Sequence, residues 1–293
     1  MKNLIVGLVQ QSCTANRDAN IGKSVSGIRK AASSGAQLVV LQELHLGPYF
    51  CQTEDPAFFD LAEPIPGPAT DLFGSLAGEL NVVIVASIFE RRAAGLYHNT
   101  AVVLDTDGSR AGMYRKMHIP DDPGYYEKYY FTQGDLGFRP VSTSIGKLGV
   151  LVCWDQWYPE AARLMALCGA DILIYPTAIG WEPGASETER GLMLDAWITI
   201  QRSHAVANAL PLISANRVGF EPSGNAGQGQ IFWGNSLIVG PRGEFLARAS
   251  QDMDEVLTAP IDLEKTETIR RNWPFFRDRR IDAYGGLLRR FQD

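Results

Sequence analysis

Short apolar runs rich in β-branched residues recur along most of the chain, and this pattern constrains the fold more than any other feature. Each run is only four to seven residues long, as expected of buried strands. We predict strands at Leu4–Val9, Leu38–Leu41, Val82–Ile88, Thr100–Leu104, Leu148–Val152, Ile172–Tyr175, Leu212–Ala215, Ser236–Val239 and Glu255–Ala259. Helical patterns lie between several of them, at Ala19–Ser33, Ala69–Leu80, Pro159–Cys168 and about Thr188–Asn208. This alternation predicts an α/β fold in which helices cover sheets.

Two pairs of neighbouring strands follow one another without a helix, with turns near residues 93–95 and 240–243. Such pairs predict sheets with antiparallel edges. We find no low-complexity linker and no short repeat, so we predict a single domain spanning residues 1–293. The final segment, from about 270 to 293, is rich in aromatic residues and arginines and has no core of its own. We expect it to pack on a partner subunit, since Trp, Phe and Arg are favoured at interfaces.

The charge of the chain argues against nucleic acid as a partner. Its formal net charge is −6, whereas a phosphate backbone requires a basic surface that displaces counterions. No segment approaches the roughly 20 uninterrupted apolar residues of a membrane span. The N-terminal apolar run is short and ends in glutamines, which is typical of a first strand rather than a signal peptide. We therefore expect no membrane partner and a cytoplasmic location.

One cysteine stands out as a candidate nucleophile. The four cysteines and four histidines form neither a disulfide framework nor a metal-ligand pattern. Cys153, however, ends an apolar run and is followed by polar and aromatic residues. A sharp turn there, with a helix starting at Pro159, would expose the thiol at the sheet edge and let the amide of Trp154 donate to an oxyanion. The alternative is a small buried hydrophobe, an interpretation that we keep for Cys168 on its apolar helix face.

A thiol with an ordinary pKa near 8.5 needs a base or a cation to become a competent nucleophile. A Cys–His pair stays open, but His98 and His118 lack an evident orienting acid and His204 lies inside a predicted helix. Glu43 directly follows an apolar strand, where restricted solvent would raise its pKa and make it a usable base. Lys116 precedes an aromatic and proline-rich loop, where it would stabilise an oxyanion. Taken singly, the two also fit an exposed acid and a surface lysine.

Together, these segments resemble the carbon-nitrogen hydrolase (nitrilase) superfamily. The matching motifs are Gln42-Glu43, Tyr114-Arg115-Lys116, Cys153-Trp154-Asp155 and the stretch 125–131, which contains Glu127. The resemblance covers essentially the whole chain. It implies a four-layer α-β-β-α sandwich, a catalytic triad of Glu43, Lys116 and Cys153, and a second glutamate, Glu127, that positions the lysine and the substrate. It also implies a homo-oligomer built on a dimer and a reaction that requires no metal or organic cofactor.

The resemblance further implies a substrate. Residues 153–183, 232–245 and 273–287 resemble superfamily members that hydrolyse N-carbamoylputrescine to putrescine, carbon dioxide and ammonia through a cysteine acyl-enzyme. Such a small cationic ureido substrate needs a carboxylate for its distal ammonium, because a buried unpaired cation is costly. The candidate carboxylates are Asp121, Asp122 and Glu182. Aromatic walls for the methylene chain or the cation would come from Tyr125, Trp154, Trp157 and Trp181.

Three alternatives stay open at this point. The chain could hydrolyse another small amide, such as a β-ureido acid or an ω-amide, and a carboxylate substrate would then require an arginine in the pocket. It could be a non-catalytic binding protein that keeps the fold, although such a protein has no need of Glu43, Lys116, Glu127 and Cys153 together. It could also be a redox-sensing thiol protein, which a disulfide at Cys153 would favour.

Overall fold

The computed structural model describes residues 3–223 and 228–292, so Met1, Lys2, residues 224–227 and Asp293 of the predicted domain lie outside the described residues. The described strands are β1 (Asn3–Gln10), β2 (Leu38–Leu41), β3 (Val83–Ala93), β4 (Leu96–Leu104), β5 (Arg110–Arg115), β6 (Val141–Thr143), β7 (Gly146–Val150), β8 (Ile172–Pro176), β9 (Gly180–Trp181), β10 (Leu212–Ala215), β11 (Val218–Pro222), β12 (Gly229–Trp233), β13 (Leu237–Val239), β14 (Phe245–Arg248) and β15 (Glu255–Asp262). The helices are α1 (Arg17–Ser33), α2 (Pro68–Leu80), α3 (Glu127–Tyr130), α4 (Pro159–Leu167), α5 (Glu187–Asn208) and α6 (Leu263–Asn272).

The first sheet has the strand order β15-β1-β2-β3-β4-β5. Strands β1, β2 and β3 run parallel, because α1 and α2 carry the chain back across the sheet between them. The hairpin around Gly95 then adds β4 and β5 as antiparallel neighbours, while β15 closes the other edge against β1. The carboxyl ends of β2, β3 and β5 therefore lie at the same edge of this sheet.

The second sheet repeats this plan with the order β14-β13-β10-β8-β7-β6. Its parallel strands are β7, β8 and β10, and α4 and α5 make the crossovers between them. Antiparallel strands again flank the parallel centre. A separate small sheet, β11-β12-β9, lies beyond the carboxyl ends of β8 and β10.

Alternating residues of the first sheet belong to two different cores. Leu38 and Val40 of β2 lie in a core shared with the second sheet, with α4 and with α5. Val39 and Leu41 of the same strand pack instead against α1 and α2. This period of two gives each sheet one face toward the other sheet and one face toward helices. The predicted α/β fold, with a four-layer α-β-β-α sandwich, is thereby confirmed.

All nine predicted strands and all four predicted helices are present, with ends shifted by a few residues. Strands β5, β6, β9, β11, β12 and β14 were not individually predicted, because they are short or only partly apolar. The prediction for Cys168 is wrong: this residue is exposed. Helix α4 ends at Leu167, so Cys168 caps the helix and its side chain leaves the buried face.

No helix within the described residues is both long enough and apolar enough to cross a bilayer. The C-terminal part of the chain contains α6 and a 3-10 helix at Ile281–Leu288, and much of its apolar surface is exposed. The expected packing of this segment on a partner subunit stays a prediction.

Candidate active site

Three of the predicted catalytic side chains follow strands that end at one edge of the sandwich. Glu43 comes two residues after β2, Lys116 directly after β5, and Cys153 shortly after β7. The first two belong to one sheet and Cys153 to the other. A backbone hydrogen bond of 3.3 Å from the Glu43 amide to the carbonyl of Thr177, just past β8, joins the two strand ends. The sandwich therefore brings its two halves together at this site.

Lys116 lies between two carboxylates. Its Nζ is 2.9 Å from Oε1 of Glu43 and 2.6 Å from Oε2 of Glu127, and all three side chains are fully buried. Burial alone lowers the pKa of Lys116, but the charges of Glu127, Glu43 and Cys153 raise it well above its ordinary value. The lysine therefore stays a cation at neutral pH and presents a fixed positive charge in a site without solvent.

The carboxylate of Glu43 has one occupied and one free oxygen. Oε1 accepts from Lys116 and, at 2.6 Å, from Nδ2 of Asn99. Ser87 orients that amide by donating to Oδ1 of Asn99 at 3.1 Å. Oε2 of Glu43 is buried and has no hydrogen-bond partner among the described residues. A buried acceptor without a partner is costly, so this oxygen is free to bind a further donor.

Glu127 begins α3 and is held from two sides. The phenol of Tyr49 donates to its Oε1 at 2.6 Å, opposite the contact of Oε2 with Lys116. Burial raises the pKa of Glu127 to about 7; the charge of Glu43 also raises it, while Lys116 opposes the rise. Two acids thus share one lysine inside the protein, and like charges so close together favour a proton on one of them.

Cys153 occupies a strained turn at the start of a 3-10 helix, Cys153–Trp157, with a φ of 42°. A non-glycine residue in the left-handed region is held there by its surroundings and is typical of functional sites. Its Sγ lies 3.7 Å from the carbonyl oxygen of Ala178. Burial raises the pKa of the thiol well above its ordinary value, Glu43 and Glu127 raise it further, and Lys116 lowers it. The thiol is therefore protonated at rest and needs a base during attack.

Asp155 anchors this turn. Its Oδ2 accepts from the Val152 amide at 3.0 Å and from the Tyr114 phenol at 2.9 Å. Its Oδ1 accepts from the backbone amide of His118 at 3.1 Å and lies 2.7 Å from Nδ1 of that residue. His118 thus has an orienting acid after all, which the sequence analysis failed to find because Asp155 lies 37 residues away. Asp155 ties the nucleophile's turn to the loop that carries Lys116.

The predicted aromatic residues lie at different distances from this cluster. The phenol oxygen of Tyr125 accepts from the Gly180 amide at 3.0 Å, and its ring packs against Tyr49. Burial raises the pKa of Tyr125, and the charges of Cys153, Glu43 and Glu127 raise it further. Trp154 follows the nucleophile directly.

The predicted carboxylates lie farther out. Glu182 and Trp181 line an open cleft of about 870 Å³, together with Glu54 and Arg190. Asp121 and Asp122 are exposed. Trp157 is half-buried, with its ring centroid 6.4 Å from that of Trp154. The structure therefore does not bring Asp121, Asp122 or Glu182 into the buried cluster.

Three residues that contact the predicted catalytic residues were absent from the sequence prediction, namely Tyr49, Asn99 and Arg217. Glu221, also absent from it, binds Tyr49 and Arg217. Arg217 carried a usable signal, since it follows an apolar strand just as Glu43 does. Among the described residues, no group of three or more His, Cys, Asp or Glu side chains could hold a metal ion.

Comparison with known proteins identifies the family. The carbon-nitrogen hydrolase family model matches residues 5–271. An N-carbamoylputrescine amidase from Solanum lycopersicum is 45% identical over 97% of this chain and 94% of that protein. A citrullinase from Francisella tularensis is 41% identical over 99% of this chain and 100% of that protein. The crystal structure of a carbon-nitrogen hydrolase from Helicobacter pylori G27 has a TM-score of 0.96 and 54% identity, covering 99% of this chain and 100% of that one. The chain belongs to the carbon-nitrogen hydrolase family.

Proposed function

We propose that the chain hydrolyses N-carbamoylputrescine to putrescine, carbon dioxide and ammonia, with Cys153 as nucleophile. The observation that carries this proposal is the buried cluster in which Lys116 joins two glutamates beside a thiol on a strained turn. The relatives named for this reaction support the choice of substrate, because they match nearly the whole chain at 43–45% identity.

In the proposed reaction, Oε2 of Glu43 takes the thiol proton as Sγ attacks the ureido carbonyl. The proton stays within the site, so the buried cluster keeps its net charge while the oxyanion forms. Lys116 and the Trp154 amide would stabilise this oxyanion. Glu43 then returns the proton to the leaving ammonia or amine. Water cleaves the acyl-enzyme and restores the thiol, and the carbamic acid released decomposes to carbon dioxide and the nitrogen group that did not leave first, either the amine or ammonia.

The distal ammonium of the substrate requires a carboxylate beyond the buried cluster. We propose Glu182 for this role, because it lines the 870 Å³ cleft and follows closely on Ala178, whose carbonyl contacts the nucleophile. Glu54 lines the same cleft, and the Trp181 ring offers an apolar surface to the methylene chain. Asp121 and Asp122 are weaker candidates, because they do not line this cleft.

Citrulline is a second candidate substrate, because it differs from N-carbamoylputrescine only by an α-carboxylate. The guanidinium of Arg190 lies 5.5 Å from the Trp181 ring and lines the same cleft as Glu182. An arginine and a glutamate in one cleft match the two charges of an amino acid. The relative named citrullinase supports this alternative.

Ammonia release from the purified protein separates these substrates. We expect N-carbamoylputrescine to be preferred over citrulline, N-carbamoyl-β-alanine and a simple ω-amide. Cys153→Ser should lose at least about 1,000-fold in kcat while folding normally, because the nucleophile is gone. Cys168→Ser is the matched control, since that thiol is exposed on α4. A preference for citrulline would replace the proposed substrate, and full activity of Cys153→Ser would refute the mechanism.

We also propose a homo-oligomer built on a dimer, in which the C-terminal segment packs on a partner subunit. Its exposed apolar side chains support this and include Trp273, Phe275, Ile281, Tyr284, Leu287, Leu288 and Phe291. The four cysteines are free thiols, which fits the proposed cytoplasmic location. Sedimentation of the purified chain tests the dimer, and a monomeric mass would contradict it.

A further inference from the structure

Arg217 is a buried arginine that contacts the loop carrying the catalytic acid. It follows β10 in the second sheet, and its side chain is fully buried. Its Nη2 donates to the carbonyl oxygens of Glu43, at 3.1 Å, and of Leu44, at 2.8 Å, while Nη1 donates to that of Gly47 at 2.9 Å. One side chain of the second sheet therefore binds three carbonyls of a loop from the first sheet.

The same guanidinium also reaches the second acid through two further residues. Nη1 of Arg217 donates to Oε1 of Glu221 at 2.6 Å. Oε2 of Glu221 accepts from the Tyr49 amide at 2.6 Å, and the Tyr49 phenol donates to Glu127 at 2.6 Å. Lys116 bridges Glu127 and Glu43. The contacts therefore form a closed ring that runs from Arg217 through Glu221, Tyr49, Glu127, Lys116 and Glu43 back to Arg217.

We propose that Arg217 is a positioning residue that sets the spacing of the two catalytic acids around Lys116. It holds the backbone of Glu43 directly and the carboxylate of Glu127 through Glu221 and Tyr49. This inference deepens the proposed function and rests on it for the turnover assay. Only a planar fork of donors binds several carbonyls and a carboxylate at once, so a lysine at 217 would keep the charge but lose the ring.

The contribution of Arg217 to catalysis follows from the orientation of Glu43. Leu44, next to the acid, has a φ of 48°, so the loop adopts a strained conformation that its contacts must maintain. A displacement of about 1 Å at a reacting group costs about 100-fold in rate. Loss of the fork should therefore lower kcat, because Glu43 would no longer hold the orientation that the proposed proton transfer requires.

Arg217→Lys tests the inference by turnover of N-carbamoylputrescine. We expect kcat to fall about 10-fold to 100-fold and KM to change less than about threefold. Glu221→Gln and Tyr49→Phe, which break the ring at other points, should lower kcat in the same way. Val103→Ala is the control, because it opens a cavity in the core between the sheets and lowers the Tm without touching the ring.

Alkylation of Cys153 by iodoacetamide gives a second readout that needs no substrate. It is measured by mass spectrometry in a Cys168→Ser background, which removes the exposed thiol. We expect Arg217→Lys to change the alkylation rate in the same direction as Glu43→Gln, because both alter the carboxylate whose charge acts on the thiol. If the unaltered protein does not turn over N-carbamoylputrescine, the proposed substrate fails while alkylation still tests Arg217.

The inference is overturned if Arg217→Lys and Glu221→Gln behave like the Val103→Ala control. In that case, at a similar loss of Tm, their kcat and their alkylation rate would lie within about threefold of the values for Val103→Ala. Their contacts would then serve folding alone. If Arg217→Lys does not fold, Glu221→Gln and Tyr49→Phe decide by the same criterion.

Discussion

Replacing Glu127 by glutamine should abolish most activity, and the stability of the variant relative to the unaltered protein should rise with pH. The carboxyl of Glu127 is fully buried, and burial raises its pKa from 4.5 to about 7. A folded-state pKa above the unfolded value means that folding takes up a proton between these two values. Stability is therefore lost as the pH rises from 4.5 to 7 and stays lower above pH 7. Glutamine mimics the protonated acid and does not titrate.

The size of this effect follows from the two pKa values. A rise from 4.5 to about 7 corresponds to about 3 kcal/mol, at about 1.4 kcal/mol for each unit. The free energy of unfolding of Glu127→Gln, relative to the unaltered protein, should thus increase by about 3 kcal/mol between pH 4.5 and pH 8. At about 2 °C per kcal/mol for a large domain, the difference in Tm should change by roughly 6 °C.

Urea unfolding followed by tryptophan fluorescence, at several pH values from 4.5 to 8, measures this difference. Glu79→Gln is the control, because Arg29 lowers the pKa of that exposed carboxyl below its ordinary value of 4.5. The effect of Glu79 on stability therefore changes mainly below pH 4.5, so the difference between this variant and the unaltered protein should stay nearly constant from pH 4.5 to 8. Ammonia release from Glu127→Gln should fall at least about 10-fold, because Lys116 loses a charged partner that positions it. The reasoning is refuted if the stabilities of Glu127→Gln and the unaltered protein run parallel across this pH range.

Two further substitutions test the packing that supports the site. Tyr114→Phe removes a buried donor to Asp155 and should lower the free energy of unfolding, measured in urea, by about 1–3 kcal/mol. An unchanged value would contradict the anchoring role of Asp155. Gly27→Ala should also lower the free energy of unfolding by about 1–3 kcal/mol, because the added Cβ would lie 2.6 Å from Cγ1 of Val9. This loss should outweigh the better helix propensity of alanine, and a rise in Tm would show that α1 can move away from β1.

The sequence predicted the location of the candidate site because of a simple rule about parallel strands. Residues that follow the parallel strands lie at the carboxyl edge of their sheet, and Glu43 in the first sheet and Cys153 in the second both satisfy this rule. The resemblance to a family then supplied the roles of Lys116 and Glu127. The geometry agrees with these assignments, whereas the catalytic roles themselves stay predictions.

The contacts that hold the catalytic groups were much harder to predict. Asn99 lies inside β4, where the sequence does not distinguish it from any other polar residue of a strand, and Tyr49 lies in an irregular loop. Each matters only through a partner more than 50 residues away, and the sequence contains no periodicity that reports such a distance. The prediction that Cys168 is buried was wrong for a related reason, because the burial of this residue depends on where α4 ends.

The two strained turns of the site explain why both halves of the sandwich are needed. Leu44 beside the acid and Cys153 both have left-handed backbones, each costing about 1–3 kcal/mol. In each case a buried side chain from one sheet binds the other sheet. Arg217, which follows a strand of the second sheet, binds the carbonyl of Leu44, and Asp155 in the turn of Cys153 accepts from Tyr114 of the first sheet. Each turn is therefore held by contacts from both sheets, since Ser87 of β3 also accepts from the Leu44 amide and Asp155 also accepts from the Val152 amide. Any change that lets the sheets slide should therefore impair acid and nucleophile together, before the fold itself is lost.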